Sequence, residues 1–279
     1  MKSFVKWPGG KKQLVERLIE RLPENYTQTN HSYFEPFIGG GALFLALEEK
    51  KATINDLNSE LINCYKVIKD KPEELMDKLS SYQDSFNLLM SADEKKQYYY
   101  DIRDKYNSLL MSKSYDEVEL AALLVFLNKS CFNGLYRVNS KGLFNTPFGH
   151  KESVKTFDKD NIIGVSKLLK DVKIENKDFE DVCQTAQKGD FVFFDSPYFD
   201  TFDTYQKGGF SIEDHKRLAR LFKELTDKGV YCMLTNSNTD FIKGLYSEYN
   251  IDVVPVKRMI NCNGNKRTGE EVIIRNYGN

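Results

Sequence analysis

Cysteine is scarce in this sequence, long apolar runs are missing and neither sign of charge prevails; each absence removes a class of protein. The five cysteines, Cys64, Cys131, Cys183, Cys232 and Cys262, stand far apart and form no C-x-x-C pair. That spacing suggests neither a zinc site nor a disulfide framework and marks them as reduced, small core residues. No metal is expected. Nowhere do about 18 apolar residues follow one another, and the opening Met1-Lys2-Ser3-Phe4-Val5-Lys6-Trp7-Pro8 lacks the apolar core of a secretory signal. The expectation is a soluble, cytoplasmic protein that makes no use of a membrane. Internal repeats and low-complexity linkers are also absent.

Lys and Arg number 40 against 41 Asp and Glu, a net charge of −1. Taken in bulk, this argues against a nucleic-acid binder, which often has a pI above about 9. The distribution argues otherwise. Residues 129–155 hold five basic side chains (Lys129, Arg137, Lys141, Lys151, Lys155) against one acid, Glu152, and Lys257, Arg258, Lys266 and Arg267 form a second cluster without acids. Such patches contact phosphates on an otherwise neutral enzyme, or are simply solvated surface.

With 279 residues, 41% of them hydrophobic, the chain can build one large domain, or one domain carrying a sizeable insertion. Three short segments rich in β-formers, Tyr33–Phe37, Asp190–Asp195 and Val230–Thr235, read as buried parallel strands. Helical spacing covers 42–50, about 178–187 and 211–228, the last introduced by Ser211 with Asp214 three residues on, close to a capping box. Alternating strands and helices predict an α/β fold with a doubly wound, mostly parallel Rossmann-like sheet. Between about 58 and 128 strand signals give way to polar, Lys/Glu/Tyr-rich helical patterns around Ala121–Leu127. The arms flanking Asn139-Ser140-Lys141-Gly142 then alternate as a β-hairpin does. The boundaries expected are one domain from 1–57 with 158–279, and a second, inserted at 58–157.

Three motifs carry chemistry. Phe37-Ile38-Gly39-Gly40-Gly41-Ala42 follows the first strand and opens a helix, so a nucleotide-like ligand can approach its backbone. Phe44 stands where a dinucleotide fingerprint has its third glycine, and Glu35 precedes the turn, which suits a cationic ligand better than a pyrophosphate. Asp56, seventeen positions after Gly39, is near the interval of about 20 for an acid that binds ribose hydroxyls; it also reads as a helix N-cap. Asp195-Ser196-Pro197-Tyr198 ends the most apolar strand with a carboxylate, a peptide carbonyl and a ring. That set can hold a planar base bearing an amino group and favour positive charge developing on its nitrogen. It also reads as an acidic strand end with a proline turn.

Together with Lys6-Trp7-x-Gly9-Gly10-Lys11, Phe34-Glu35-Pro36-Phe37-x-Gly39-Gly40-Gly41, Ile54-Asn55-Asp56, Asn133-Gly134-Leu135-Tyr136-Arg137 and Asn145-x-Pro147-Phe148-Gly149, the tetrapeptide makes the chain resemble, over nearly its whole length, the Dam-type DNA adenine-N6 methyltransferases of the D12 class. The resemblance implies an S-adenosyl-L-methionine-binding catalytic domain and a target-recognition domain at 58–157. Trp7, Lys11, Phe37 and Gly39 would line the cofactor, with Asp56 on its ribose, Asp178-Phe179 at its adenine and Asp195 beside it. Asp178 also reads as a helix N-cap. Double-stranded DNA is the implied partner, commonly at GATC. Lys6 would meet it beside the target, Arg137 would read guanine through O6 and N7, Phe132 and Leu135 would fill or wedge the stack, and Asn133, Asn139 and Pro147 would lie close by. Asp195, Ser196, Pro197 and Tyr198 would carry direct transfer to an adenine flipped from the duplex.

One position departs from the family pattern, Asp-Pro-Pro-Tyr: Ser196 occupies the first proline place. The backbone carbonyl survives, while the lost ring costs about 0.4–1 kcal/mol of preorganisation. Three alternatives stay open: N4-cytosine methylation, a DNA-binding relative without catalysis, and methylation of RNA or protein. Cytosine-C5 methylation needs a cysteine nucleophile, and none of the five follows proline or adjoins a candidate loop.

Overall fold

The computed structural model describes residues 1–7, 11, 14–24, 26–28, 30–112, 116–199, 209–257 and 268–278. Gly9 and Gly10 of the first motif, Cys262, and Arg258, Lys266 and Arg267 of the second basic cluster lie outside the described residues. Strands β1 (Tyr33–Glu35), β2 (Ala52–Asn55), β3 (Lys173–Glu175), β4 (Phe191–Phe194), β5 (Tyr231–Ser237), β6 (Asn250–Lys257) and β7 (Thr268–Arg275) form one sheet. Its seven strands lie in the order β3-β2-β1-β4-β5-β7-β6. The first five run parallel, whereas β7 pairs antiparallel with both β5 and β6. All four residues of β4 are buried, as a central strand covered on both faces requires. Strand order reverses between β1 and β4, which opens a crevice beyond their carboxyl ends.

The helices are α1 (Val15–Ile19), α2 (Ala42–Leu47), α3 (Ser59–Asp70), α4 (Pro72–Leu88), α5 (Ala92–Ser112), α6 (Glu117–Ser130), α7 (Lys159–Leu169), α8 (Phe179–Cys183), α9 (Ile212–Asp227) and α10 (Asp240–Leu245). Ser211 and Asp214 form the expected capping box at the start of α9. Strand alternation divides the core. Phe191 and Phe193 face one cluster that continues through α2, α3 and α7 into the helical lobe, while Val192 and Phe194 face α8, α9 and α10. Helix α6 is buried over almost its whole length because α3, α4 and α5 surround it. Its apolar run Ala121–Leu127 is therefore the lobe's own core.

After α6 the chain makes the expected turn, with Gly142 N–H donating to Asn139 O (2.9 Å) and Asn139 N–H to Leu143 O (2.9 Å). The arms meet at isolated bridges, Cys131 with Phe148 and Val138 with Phe144, rather than along a ladder. Helix α5 supplies the missing partners: Asn107 holds both the N–H (2.9 Å) and C=O (3.0 Å) of Phe144, and Tyr99 Oη donates to Thr146 O (2.7 Å). No helix among the described residues is long and apolar enough to cross a membrane.

Candidate active site

The crevice is floored by the turn that follows β1. Gly39 (φ +47°) and Gly41 (φ +65°) occupy the left-handed region that favours glycine. A Cβ on Gly39 would stand 3.0 Å from Trp7 Cδ1, and one on Gly40 would stand 3.0 Å from Ser3 Oγ. Trp7 in turn stacks on Tyr136 of the post-α6 turn, centroids 4.8 Å apart. One indole thus joins the glycine turn to the helical lobe.

Asp56 gathers this turn from β2. Its Oδ2 accepts from Gly39 N–H (3.0 Å) and its Oδ1 from Asn58 N–H (2.9 Å). The N-cap of α3 is Asn58, which accepts from Leu61 N–H at 2.7 Å, so the capping alternative for Asp56 is not the one adopted. Burial pushes the Asp56 carboxyl up to about 6, against the pull of its backbone donors. Glu35, buried at the end of β1, accepts from Tyr33 Oη at 2.5 Å. Burial holds its carboxyl well above the usual range, while Lys11 acts in the opposite direction.

Across the switch point, β4 delivers the tetrapeptide. Asp195 Oδ1 pairs with Lys11 Nζ (2.6 Å) and accepts from Thr235 Oγ1 (2.8 Å). Burial raises the Asp195 carboxyl above its ordinary value, opposed chiefly by Lys11. Ser196 is buried, its Oγ accepting from Asn236 Nδ2 at 3.3 Å. Tyr198 donates to Glu271 Oε2 (2.7 Å), and Lys11 Nζ lies 4.4 Å from its ring centre. Phe37 and Phe179 come together with centroids 5.3 Å apart. Asp178 is the N-cap of α8, accepting from Glu180 N–H at 3.0 Å, and is also paired with Arg217 (2.8 Å). The first of these bonds is the helix cap that the sequence offered as the other reading of Asp178.

The expected DNA-facing residues gather on the lobe. Asn128, buried in α6, holds Lys6 by its N–H (2.8 Å) and C=O (2.8 Å) and also donates to Gly134 O (3.0 Å). Gly134 has φ +69°, and a Cβ there would lie 2.5 Å from Lys6 Cδ, so the lysine stem crosses the turn. Phe132 is half exposed and Asn133 adopts φ +55°. Leu135 is half-buried; Pro147 is exposed. Arg137 is exposed, its fork resting on Asn145 through Oδ1 (2.8 Å) and the backbone O (3.0 Å). Asn139 turns its own Oδ1 to Lys141 N–H (2.9 Å) and Leu143 N–H (3.1 Å), which shapes the loop. Burial and neighbouring Lys6 depress the Lys129 ammonium. Two adjacent cations favour an anionic ligand.

A cavity of about 360 Å³ lies apart from these groups, between the β2–β3 edge and α8. Its lysines, Lys173 and Lys177, are both paired with Glu175 (2.6 and 3.2 Å). Among the described residues, no three His, Cys, Asp or Glu side chains are grouped to hold a metal.

The mostly parallel sheet, with helices on both faces, is that of the Rossmann-like methyltransferases. Within that class the chain belongs to the D12 class of N6 adenine-specific DNA methyltransferases, whose family model matches residues 7–260. It is similar to the type II methyltransferase M.MjaIII of Methanocaldococcus jannaschii, 43% identical over 290 aligned positions that cover 99% of each chain. A second relative, the type II methyltransferase M1.LlaDCHI of Lactococcus lactis subsp. cremoris, is also 43% identical, over 100% of this chain and 96% of its own. The DNA adenine methylase of Escherichia coli is 26% identical over 99% of this chain and 95% of its own. The protein is an S-adenosylmethionine-dependent, adenine-specific DNA methyltransferase.

Its residues fit that methyl donor. The glycines of the turn let Trp7 and Ser3 pack directly on its backbone, and Asp56 and Glu35, whose carboxyls burial raises beside it, are groups whose ionised forms an approaching cation would stabilise.

Proposed function

We propose that this enzyme methylates adenine N6 in duplex DNA at GATC, flipping the base and transferring the methyl directly in line. The observation that carries the proposal is the strand-end tetrapeptide, whose Asp195 is held by Lys11 beside the glycine turn. Trp7, Lys11, Phe37, Gly39, Asp56 and the Asp178-Phe179 pair would hold S-adenosylmethionine, which supplies an electrophilic sulfonium methyl.

An amino nitrogen conjugated to a purine is a poor nucleophile, so the protein must take up its hydrogens as the N–C bond forms. Lys11 and Thr235 both engage Asp195 Oδ1. Asp195 Oδ2 and the Ser196 carbonyl are then the acceptors offered to N6, and they favour the cationic tetrahedral nitrogen. The Tyr198 ring stacks on the base and holds it in line, so orientation supplies most of the acceleration. Reaching N6 at all requires the base to leave the helix.

Residues 58–157 serve as the target-recognition domain. Arg137 is exposed with its fork oriented by Asn145, as a bidentate reader of guanine needs to be. Lys6, Asn133, Asn139 and Pro147 flank it, while Phe132 and Leu135 are the apolar groups able to fill the space a flipped base leaves. Two of the similar proteins carry the name type II methyltransferase, and by that likeness we assign the enzyme to restriction-modification. Its substrate places its work in the cytoplasm.

The test is transfer of labelled methyl to short duplexes containing GATC or single-base variants, followed by nucleoside analysis. N6-methyladenine confined to GATC is the expected result. N6-methyladenine at another sequence would overturn the assigned site, and N4-methylcytosine would overturn the assigned base.

A further inference from the structure

Ser196 sits where the family pattern has proline, and it is 2% exposed. A buried hydroxyl needs a partner, and so does a buried amide. Asn236, 1% exposed on β5, provides one for the other: its Nδ2 donates to Ser196 Oγ at 3.3 Å. The same side chain reaches further along the loop, its Oδ1 accepting from Phe199 N–H at 3.0 Å and from Ser237 N–H at 2.9 Å. On either side of it, Thr235 Oγ1 donates to Asp195 Oδ1 (2.8 Å) and Ser237 Oγ donates to Phe199 O (2.8 Å). Three successive residues of β5 therefore fasten the loop at Asp195, Ser196 and Phe199.

We infer that Asn236 is a positioning residue for the catalytic loop, and that Ser196 and Asn236 work as a matched pair supplying the constraint that a pyrrolidine ring supplies in Asp-Pro-Pro-Tyr. Proline limits the loop by fixing φ covalently. Serine leaves φ unrestrained, but its hydroxyl ties the loop to a strand that already grips Phe199 through the same asparagine. The Asn236 amide makes the surroundings of residue 196 polar, which suits serine. A proline placed there would leave Asn236 Nδ2 buried without its acceptor. The inference rests on the proposal that Asp195–Tyr198 is the catalytic tetrapeptide, with Ser196 contributing its carbonyl.

The test uses the full chain carrying Ser196→Ala or Ser196→Pro, with kcat, KM for cofactor and DNA, and Tm measured for each. Both variants strand the Asn236 amide, so both are expected to lower Tm. Only alanine lacks a constraint on the loop. It is expected to lower kcat about 3- to 10-fold with both KM values unchanged, while proline, which keeps the carbonyl and fixes φ, is expected to lower kcat less than alanine does. A kcat for Ser196→Ala equal to wild type overturns the inference, as does a Ser196→Pro variant that falls as far as the alanine. Asn236→Ala adds a double-variant check: once the asparagine is gone, Ser196→Ala is expected to have no further effect on kcat, and full additivity overturns the pairing. Asp195→Ala separates this inference from the proposal beneath it. An active Asp195→Ala enzyme sinks the assignment of the tetrapeptide, whereas an inactive one combined with a fully active Ser196→Ala sinks only the role of Asn236.

Discussion

Lys11 Nζ stands 2.6 Å from Asp195 Oδ1, so a cation from the N-terminal segment neutralises the carboxylate at the end of β4. Burial raises the Asp195 carboxyl, and Lys11 is the largest influence in the opposite direction. Removing the ammonium must therefore raise that carboxyl further. Lys11→Met, which keeps the length of the chain, is expected to move the acid limb of the kcat profile upward in pH, with the deficit shrinking at alkaline pH. An unshifted limb in a pH–rate series would separate Lys11 from the ionisation of Asp195.

Asp56 yields a prediction about stability. Its carboxyl is pushed up to about 6 from an ordinary 3.8. A group whose folded pKa is raised binds its proton more tightly in the folded protein than in the unfolded chain, so stability falls as pH rises between those two values. Above pH 6 the cost is fully present, roughly 1–3 kcal/mol; below 3.8 it is gone. Asp56→Asn removes this titration and adds only a constant offset, because the amide has one acceptor oxygen for two backbone donors. The wild type is expected to lose Tm relative to Asp56→Asn as pH is raised from 4 to 6.5, while the variant binds cofactor more weakly. Parallel Tm curves would refute the raised carboxyl.

Local stretches of sequence announced the parallel half of the fold. β1, β4 and β5 are short apolar runs with clear ends, and the glycine turn and tetrapeptide are contiguous, so their chemistry could be read in place. The pair β6–β7 went unread. Its first member contains Pro255, which argues against a central strand but is tolerated at the sheet edge where β6 lies. The alternating arms after α6 suggested a fuller ladder than exists, because Asn107 and Tyr99 satisfy backbone groups that a partner arm otherwise would. Asn128, Asn236 and Glu271 were missed as site residues, since proximity in the fold alone reveals what they hold. Asn128 did leave a signal, being a polar residue in an apolar helix that has to find partners once buried.

Arg137 presents its guanidinium from a rigid mount, Nε on Asn145 Oδ1 at 2.8 Å. Arg137→Ala is expected to lose roughly 1–3 kcal/mol of discrimination at a single base pair, with cofactor affinity unchanged. Asn145→Ala, which unseats the fork but keeps the charge, should lose less. Methylation rates over GATC and its single-base variants provide the measurement. Equal slowing on every duplex would make Arg137 a phosphate contact instead of a base reader.

The antiparallel strand β7 sets Glu271 opposite Ser237 of β5, and there the carboxylate accepts from Tyr198 Oη at 2.7 Å. Burial, first among several causes, holds the phenol well above its ordinary value, so it stays a donor throughout the working range of pH. The bond fixes the plane of the ring proposed to stack on the flipped adenine. Glu271→Gln retains a carbonyl acceptor and is expected to lose little activity, while Glu271→Ala removes this one restraint on the ring and should lower kcat roughly 3- to 10-fold. Cofactor affinity should be unchanged in both. Trp7 is the only tryptophan in the sequence and lies against Gly39, so its fluorescence should report cofactor binding directly. If Glu271→Ala weakens cofactor binding as much as it slows turnover, the carboxylate acts through the shape of the cofactor site. If binding holds while kcat falls, Glu271 acts through the Tyr198 ring.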